Sequence, residues 1–304
     1  MSDDWKADAQ RTAQGIRRRV LASTVRRKGG YLTQACCSAE ALAVLYHRVM
    51  NLGPSVGPRQ PAGFPGVPGP EASVTGAAYN GPPDPAKDRF LLSPTHYAIA
   101  LYATLIEVDR LDDTALEQFN TDGSNLEMIG SEHSPGVEAT TGSLAQALSV
   151  AIGQTLARRL RGDTGRNWVY MSDGELEEGE TWEAFQTAAH FRLASLGVYL
   201  DANGFQVDGP VERVMELEPI VEKIAAFGWD VHEVDGHDLE ALAEAAENRS
   251  ETKPLMVVCR TRPWEGIPSL KDRYPSLHYV RFKDDDEIAR ALADLDMNMD
   301  EVTR

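Results

Sequence analysis

Two short β-rich runs constrain this chain more than any other feature. NWVYM runs into the turn Ser172-Asp173-Gly174, and LGVYLD runs into Asp201-Ala202-Asn203. The residues between them, from Gly179 to about Arg192, read as helix. Strand, helix and strand in this order form a right-handed crossover between parallel neighbours. The unit brings the Asp173 carboxylate and the Asn203 amide oxygen, thirty positions apart, to the same end of a sheet. Open α/β sheets bind ligands there, outside the carboxyl ends of the strands. Oxygen donors suit a hard cation, and Mg²⁺ commonly takes few protein ligands beside phosphate oxygens and water. The pair reads as a clamp for a Mg²⁺-diphosphate.

The same alternation extends along the chain. FLLS, NWVYMS, LGVYLD, WDVHEVD and LMVVCR are strand-like. Helical patterns fall between them at about 97–108, 143–160, 179–192, 214–227 and 239–248. The expected fold is a doubly wound α/β domain: a mostly parallel sheet with helices on both faces. Helices at about 8–27 and 38–49 precede it, the second with Ala41, Leu42, Val44, Leu45 and Val49 on one face. One domain over 1–304 is expected. It carries a Pro/Gly-rich insertion at about 51–87, a length of loop uncommon inside a compact domain, and an acidic C-terminal helix at about 283–304.

Composition narrows the functional classes. The net charge of −17 argues against general affinity for nucleic acid or anionic membrane. No apolar run reaches the roughly eighteen residues of a membrane helix, and the polar start MSDDWKADAQ has no leader character. Three cysteines, two of them adjacent at Cys36 and Cys37, fit a cytoplasmic protein without structural disulfides. Charge is uneven: Arg17, Arg18, Arg19, Arg26, Arg27 and Lys28 crowd the first helix, and Asp284 to Glu287 open the last. Two solvated faces, or a contact surface for a partner chain, both remain open.

The string SDGELEEGETWEAFQTAAHFRLASLGVYLDANGFQVDG resembles the thiamine diphosphate motif, in its transketolase version with the D-x-N-x-x-Q-x-x-G ending. Ser172 stands at the motif's first glycine, which a serine replaces unless the backbone there needs a positive φ. The resemblance implies that Asp173, Asn203 and the backbone carbonyl of Phe205 hold Mg²⁺, and that Gly174 adjoins the diphosphate of the cofactor. Asp88 to His96 is similar to the family's DRF-x-L-S-x-G-H segment, which implies that His96 faces cofactor and substrate. Pro135 to Leu144 resembles P-G-V-E-x-T-T-G-x-L, implying that the backbone around Gly142, Ser143 and Leu144 lines the thiamine site. By the same resemblance His133 and His278 are further substrate histidines, and Glu178 lies at an interface between subunits and helps carry protons. Tyr31 replaces a family histidine, and Arg262-Pro263-Trp264 breaks a family loop, so these departures bear on substrate choice.

The resemblance spans about Gly29 to Tyr279 and covers only the family's diphosphate-binding domain. It implies a separate C-terminal subunit that binds the aminopyrimidine ring and supplies its activating glutamate, assembled two plus two. The expected activity is transfer of a two-carbon ketol unit from a ketose, phosphorylated or not, to an aldehyde acceptor. Another thiamine diphosphate-dependent carboligation or decarboxylation, like that of a keto-acid dehydrogenase or deoxyxylulose-phosphate synthase, is the alternative. A non-catalytic cofactor-binding regulatory subunit is the third reading.

Overall fold

The chain is described by a computed structural model over residues 4–63 and 75–303. Helix α1 (Asp4–Arg26) and α2 (Leu32–Val44, passing into a π-helical turn at Leu45–Val49) lead into an irregular segment and then β1 (Arg89–Leu92). Next come α3 (Ala98–Glu107), α4 (Gln146–Arg161), β2 (Asn167–Ser172), α5 (Gly179–His190) and β3 (Leu196–Ala202). A two-residue ribbon, β4 (Phe205–Gln206) with β5 (Gly209–Pro210), precedes α6 (Val211–Val214) and α7 (Ile220–Ala226). The chain then runs through β6 (Asp230–Asp235), α8 (Leu239–Glu247), β7 (Leu255–Arg260), α9 (Asp285–Asp294) and α10 (Met299–Thr303).

All five main strands are parallel, in the order β1-β2-β3-β7-β6. Alternation along the strands divides their side chains between two cores. Phe90, Trp168, Tyr170, Tyr199, Val257 and Cys259 pack with α1, α2, α3 and α8. Leu91, Val169, Met171, Val198, Leu200 and Val258 pack with α4, α5 and α7 on the other face. The first face is aromatic and the second aliphatic, and helices cover both, as the expected doubly wound fold requires. Trp168 stands in register with Gly197, and the flat indole fills the space that a side chain there would take.

Several boundaries differ from the sequence reading, each for a local reason. Helix α2 begins six residues before Ser38, because the Ser38 hydroxyl bonds back to the Gln34 carbonyl at 2.7 Å rather than capping an end. The expected helix over 214–227 is broken into α6 and α7, since Pro219 has no N–H to continue a helix. The acidic C-terminal helix is two helices, α9 and α10.

Part of the basic cluster on α1 is paired within the chain. Arg17 is buried against Glu40 at 2.6 Å, and Arg19 binds Glu107 and, at 2.8 Å, Asp113. Arg18 reaches the Leu295 carbonyl at 2.6 Å and Glu301 at 2.9 Å, so α1 docks the C-terminal helices. Exposed pairs of this kind orient elements more than they stabilise them.

Within the Pro/Gly-rich segment, residues 64–74 lie outside the described residues. The described parts are bound to the body of the fold. Arg110 donates to the Tyr79 and Gly53 carbonyls at 2.6 and 3.0 Å, and the buried Asn80 donates to Glu138 at 2.8 Å. Gly76 sits so close that a Cβ there would lie 2.0 Å from the Ser134 carbonyl oxygen.

A Cβ at Gly197 would lie 2.3 Å from the Trp168 ring, which is only 1% exposed and has no room to move. Gly197→Ala should therefore lower stability by about 1–3 kcal/mol, the usual cost of overpacking. Chemical denaturation reads this directly, and an unchanged midpoint would contradict the packing.

Candidate active site

At the carboxyl end of the sheet a pocket of about 220 Å³ opens between β1, β2 and β3. Asp173, Gly174, Glu178, Asn203, Phe205, His96, His278 and Leu144 all line it. Neighbouring parallel strands β2 and β3 end here, with Ser172 in register with Asp201. Asp173 is 3% exposed, and its Oδ2 accepts the Gly204 N–H at 2.8 Å. Burial, with the Asp201 carboxyl nearby, pushes the Asp173 carboxyl up to about 8. A cation brought beside such a carboxylate would favour its charged form. The Asn203 side-chain oxygen accepts the Phe205 N–H at 2.9 Å. Among the described residues no three His, Cys, Asp or Glu side chains gather as a metal cluster. The Asp173 carboxylate and the Asn203 amide offer hard oxygen donors, the kind that suits Mg²⁺.

A second buried carboxylate, Asp201, orients this group. Its oxygens accept from Thr261 Oγ1 and Tyr97 Oη, both at 2.5 Å, and from Asn203 Nδ2 at 3.0 Å. The Asn203 amide nitrogen is engaged on Asp201, and its oxygen, which accepts the Phe205 N–H, keeps a second lone pair for a further partner.

Glu175 ties the neighbouring loops together. Its carboxylate accepts Ala145 N–H at 2.8 Å, Ser172 N–H at 2.8 Å, Ser172 Oγ at 3.3 Å and the Ser93 hydroxyl. Ser172 and Glu175 together form a capping box. Ser172 has φ −112°, so the position demands no glycine, and its hydroxyl has a partner that glycine would lack. Ala145 adopts a left-handed conformation, φ 72°, which holds its N–H on Glu175 and starts α4 at Gln146 rather than Ser143.

His96 follows β1 in a 3₁₀ turn, with its ring 5.1 Å from His278 and 5.3 Å from Tyr31. Burial, then the neighbouring His278, lowers the His96 imidazole to about 3, and burial lowers His278. Helix α2 holds His278 in place: Gln34 donates to its carbonyl at 3.0 Å and Thr33 to that of Leu277 at 2.9 Å. Tyr31 caps this group from outside, edge-on to His278 and Tyr279.

Not every expected residue lies in the pocket. His133 is absent from its lining: its turn is clamped to the Pro/Gly-rich segment, where Gly76 N–H donates to the Glu132 carbonyl at 2.7 Å. Gly142 and Ser143 are exposed beside the pocket, and only Leu144 of that loop lines it. Glu178 is exposed at the start of α5. Glu175, Asp201, Tyr97, Thr261, Gln34 and Cys37 were not singled out from sequence. Glu175 had a readable signal in the S-x-x-E capping pattern with Ser172, and Asp201 is the first residue of the D-x-N-x-x-Q-x-x-G string, though it was given no role there.

A doubly wound parallel sheet with Asp173 and Asn203 at the ends of adjacent strands belongs to the class of open α/β domains that bind ligands at that edge. The comparisons narrow that class. Residues 62–302 match the family described as transketolase, thiamine diphosphate binding domain. The chain is 37% identical over 275 residues to an uncharacterised transketolase family protein of Sinorhizobium fredii, covering 88% of each. It is 30% identical to an apulose-4-phosphate transketolase subunit of Actinobacillus succinogenes, covering 95% of this chain and 96% of that one. Against human transketolase-like protein 2 it is 31% identical and spans 41% of that protein. The transketolase structure from Campylobacter jejuni has the same fold, with TM-score 0.77 at 20% identity over 98% of this chain and 44% of that one. The chain belongs to the transketolase family.

The raised Asp173 pKa has a sign that can be tested. Stability from the protonated carboxyl is fully present below pH 3.8 and is lost as pH rises through about 8. Asp173→Asn removes that loss. Without Mg²⁺, its melting temperature relative to wild type should climb between pH 4 and 8, by at least the roughly 2–4 °C that 1 kcal/mol confers. Stabilisation by Mg²⁺ and thiamine diphosphate should vanish in the variant. A pH-independent difference would show that Asp173 is not a buried, uncompensated acid.

Proposed function

We propose that this chain is the cofactor-holding half of a two-subunit transketolase that moves a two-carbon ketol unit between sugars. The observation that carries this reading is the convergence of Asp173, Asn203, His96 and His278 on one pocket. Asp173, Asn203 and the Phe205 carbonyl would hold Mg²⁺ and through it the diphosphate, with the exposed loop at Gly142 and Ser143 beside the thiamine. Thiamine diphosphate, when bound, supplies the nucleophilic carbon that breaks and remakes a carbon–carbon bond beside a ketone.

The residues of this chain bind, orient and handle protons. Both imidazoles are held uncharged at neutral pH, so each offers one N–H donor and one acceptor nitrogen to the hydroxyl and carbonyl oxygens of a ketose. His96 would hydrogen-bond the hydroxyl whose proton leaves as the carbon–carbon bond breaks, assisting that transfer without itself holding the charge. Glu178, exposed and in the pocket lining, would face a second subunit and help carry protons. His133 has the weaker case, because it is not in the pocket.

A separate C-terminal subunit that binds the aminopyrimidine is part of the proposal, with two copies of each chain in the assembly. Support comes from relatives of similar length whose names identify them as subunits. One is the apulose-4-phosphate transketolase subunit of Actinobacillus succinogenes, and the other is a 6-deoxy-6-sulfo-D-fructose transketolase subunit of a Clostridium species, of which the chain spans 88%. Both names specify ketose substrates, so a ketose is the proposed donor. Among the described residues no helix is long and apolar enough to cross a membrane. Cys36, Cys37 and Cys259 are all free thiols, which accords with a cytoplasmic location.

Purified alone, the chain should show no ketol transfer. With its cognate C-terminal subunit, turnover should appear and depend on both Mg²⁺ and thiamine diphosphate. Robust turnover by the isolated chain overturns the two-subunit reading, and a requirement for a keto acid with release of CO₂ overturns ketol transfer.

In the assembled enzyme, His96→Ala should leave cofactor affinity nearly unchanged while lowering kcat/KM by about 10²–10⁴-fold, the usual loss of acid–base assistance. Unimpaired steady-state kinetics would remove His96 from the chemistry.

A further inference from the structure

The pocket is braced from behind by a buried chain of polar groups that none of the substrate-facing residues includes. His237, in the turn after β6, lies between Glu40 of α2 and the loop after β7. Its Nδ1 is 2.9 Å from Glu40 Oε2, and its Nε2 is 2.9 Å from the backbone nitrogen of Arg262. The backbone N–H can only donate, so Nε2 is the acceptor and Nδ1 carries the proton. Both side chains are about 95% buried, and Arg17 holds the same Glu40 oxygen at 2.6 Å. Burial opposes the Glu40 charge, but the His237 hydrogen bond and the Arg17 guanidinium outweigh it, leaving its carboxyl below its ordinary value. The tautomer of His237 is thereby fixed by its two partners.

The consequence reaches the clamp through Thr261. Arg262 N–H is pinned by His237, and the preceding residue, Thr261, donates to Asp201 at 2.5 Å. Asp201 in turn holds the Asn203 amide nitrogen at 3.0 Å. Gly236, next to His237, packs directly on Thr261, where a Cβ would fall 2.4 Å from its methyl carbon. Pro263 of the same loop lines the pocket.

We propose that His237 is a positioning residue for the metal clamp, accepting the Arg262 N–H so that Thr261 and Asp201 present the Asn203 oxygen to the cation. The inference rests on the reading of Asn203 as a cation ligand. Outer partners of metal ligands commonly matter at the level of 10–100-fold in affinity.

Two substitutions separate the two nitrogens. In His237→Asn the amide lies near the Nδ1 position, so it can still donate to Glu40 but cannot reach Arg262. In His237→Gln the amide reaches the Nε2 position and can accept the Arg262 N–H, while contact with Glu40 is lost. Calorimetric titration of the variants, each assembled with the cognate C-terminal subunit, with Mg²⁺ and thiamine diphosphate, alongside thermal melts, reads both effects. His237→Asn is expected to weaken binding by about 10–100-fold, and His237→Gln to stay within a few-fold of wild type, although both melt at lower temperature. Equal affinities for the two variants, whether both normal or both weak, overturn the positioning role. Asp173→Asn is the control for the site itself. If it binds like wild type, or if wild type takes up no Mg²⁺-thiamine diphosphate, the clamp reading fails as well. If Asp173→Asn alone loses binding, only the role of His237 falls.

Discussion

The buried Glu175 carboxylate holds together three chain segments that the sheet by itself would leave independent. A parallel strand ends in a loop, and hydrogen bonds between strands do not fix the loops that follow. Ser93 lies after β1, Ala145 before α4 and Ser172 at the end of β2, and all three donate to this one side chain. Each segment carries part of the pocket: His96, Leu144 and Asp173 respectively. A carboxylate shared in this way has no good alternative inside the protein, because any donor it loses leaves charge buried with less compensation. The left-handed Ala145, which costs roughly 1–2 kcal/mol in an alanine, is understandable as a conformation that this acceptor enforces.

Much of the architecture was legible because it follows from short-range pattern. The apolar runs NWVYMS and LMVVCR are β2 and β7 to the residue, since a strand buried on both faces is a continuous apolar run with abrupt polar ends. The juxtaposition of Asp173 and Asn203 followed from parallel geometry and strand length. His96 was legible for the same reason, as it ends a strand adjacent to β2.

What stayed hidden depends on long-range contacts with no local signature. Nothing near Gln34 or Thr33 in sequence indicates that they would hold the Leu277-His278 backbone, 244 positions away. The displacement of His133 follows from Gly76, in a segment that composition alone described as loop. Asp201 was visible as a residue, but its function needs Tyr97 and Thr261 from two other elements. The basic face of α1 offered two readings, and neither anticipated that its arginines would be spent within the chain on Glu40, Glu107 and Glu301.

The reach of the Arg17–Glu40–His237 bridge has a consequence for the order in which the molecule forms. Glu40 and His237 are separated by 197 positions, and Arg17 lies further out still. Contacts of such span form after local ones, because loop closure must be accomplished before they yield any stabilisation. The brace that His237 gives the loop after β7 is complete only when α1 and α2 have docked, so a change within the first forty residues would be felt at a loop more than two hundred positions away.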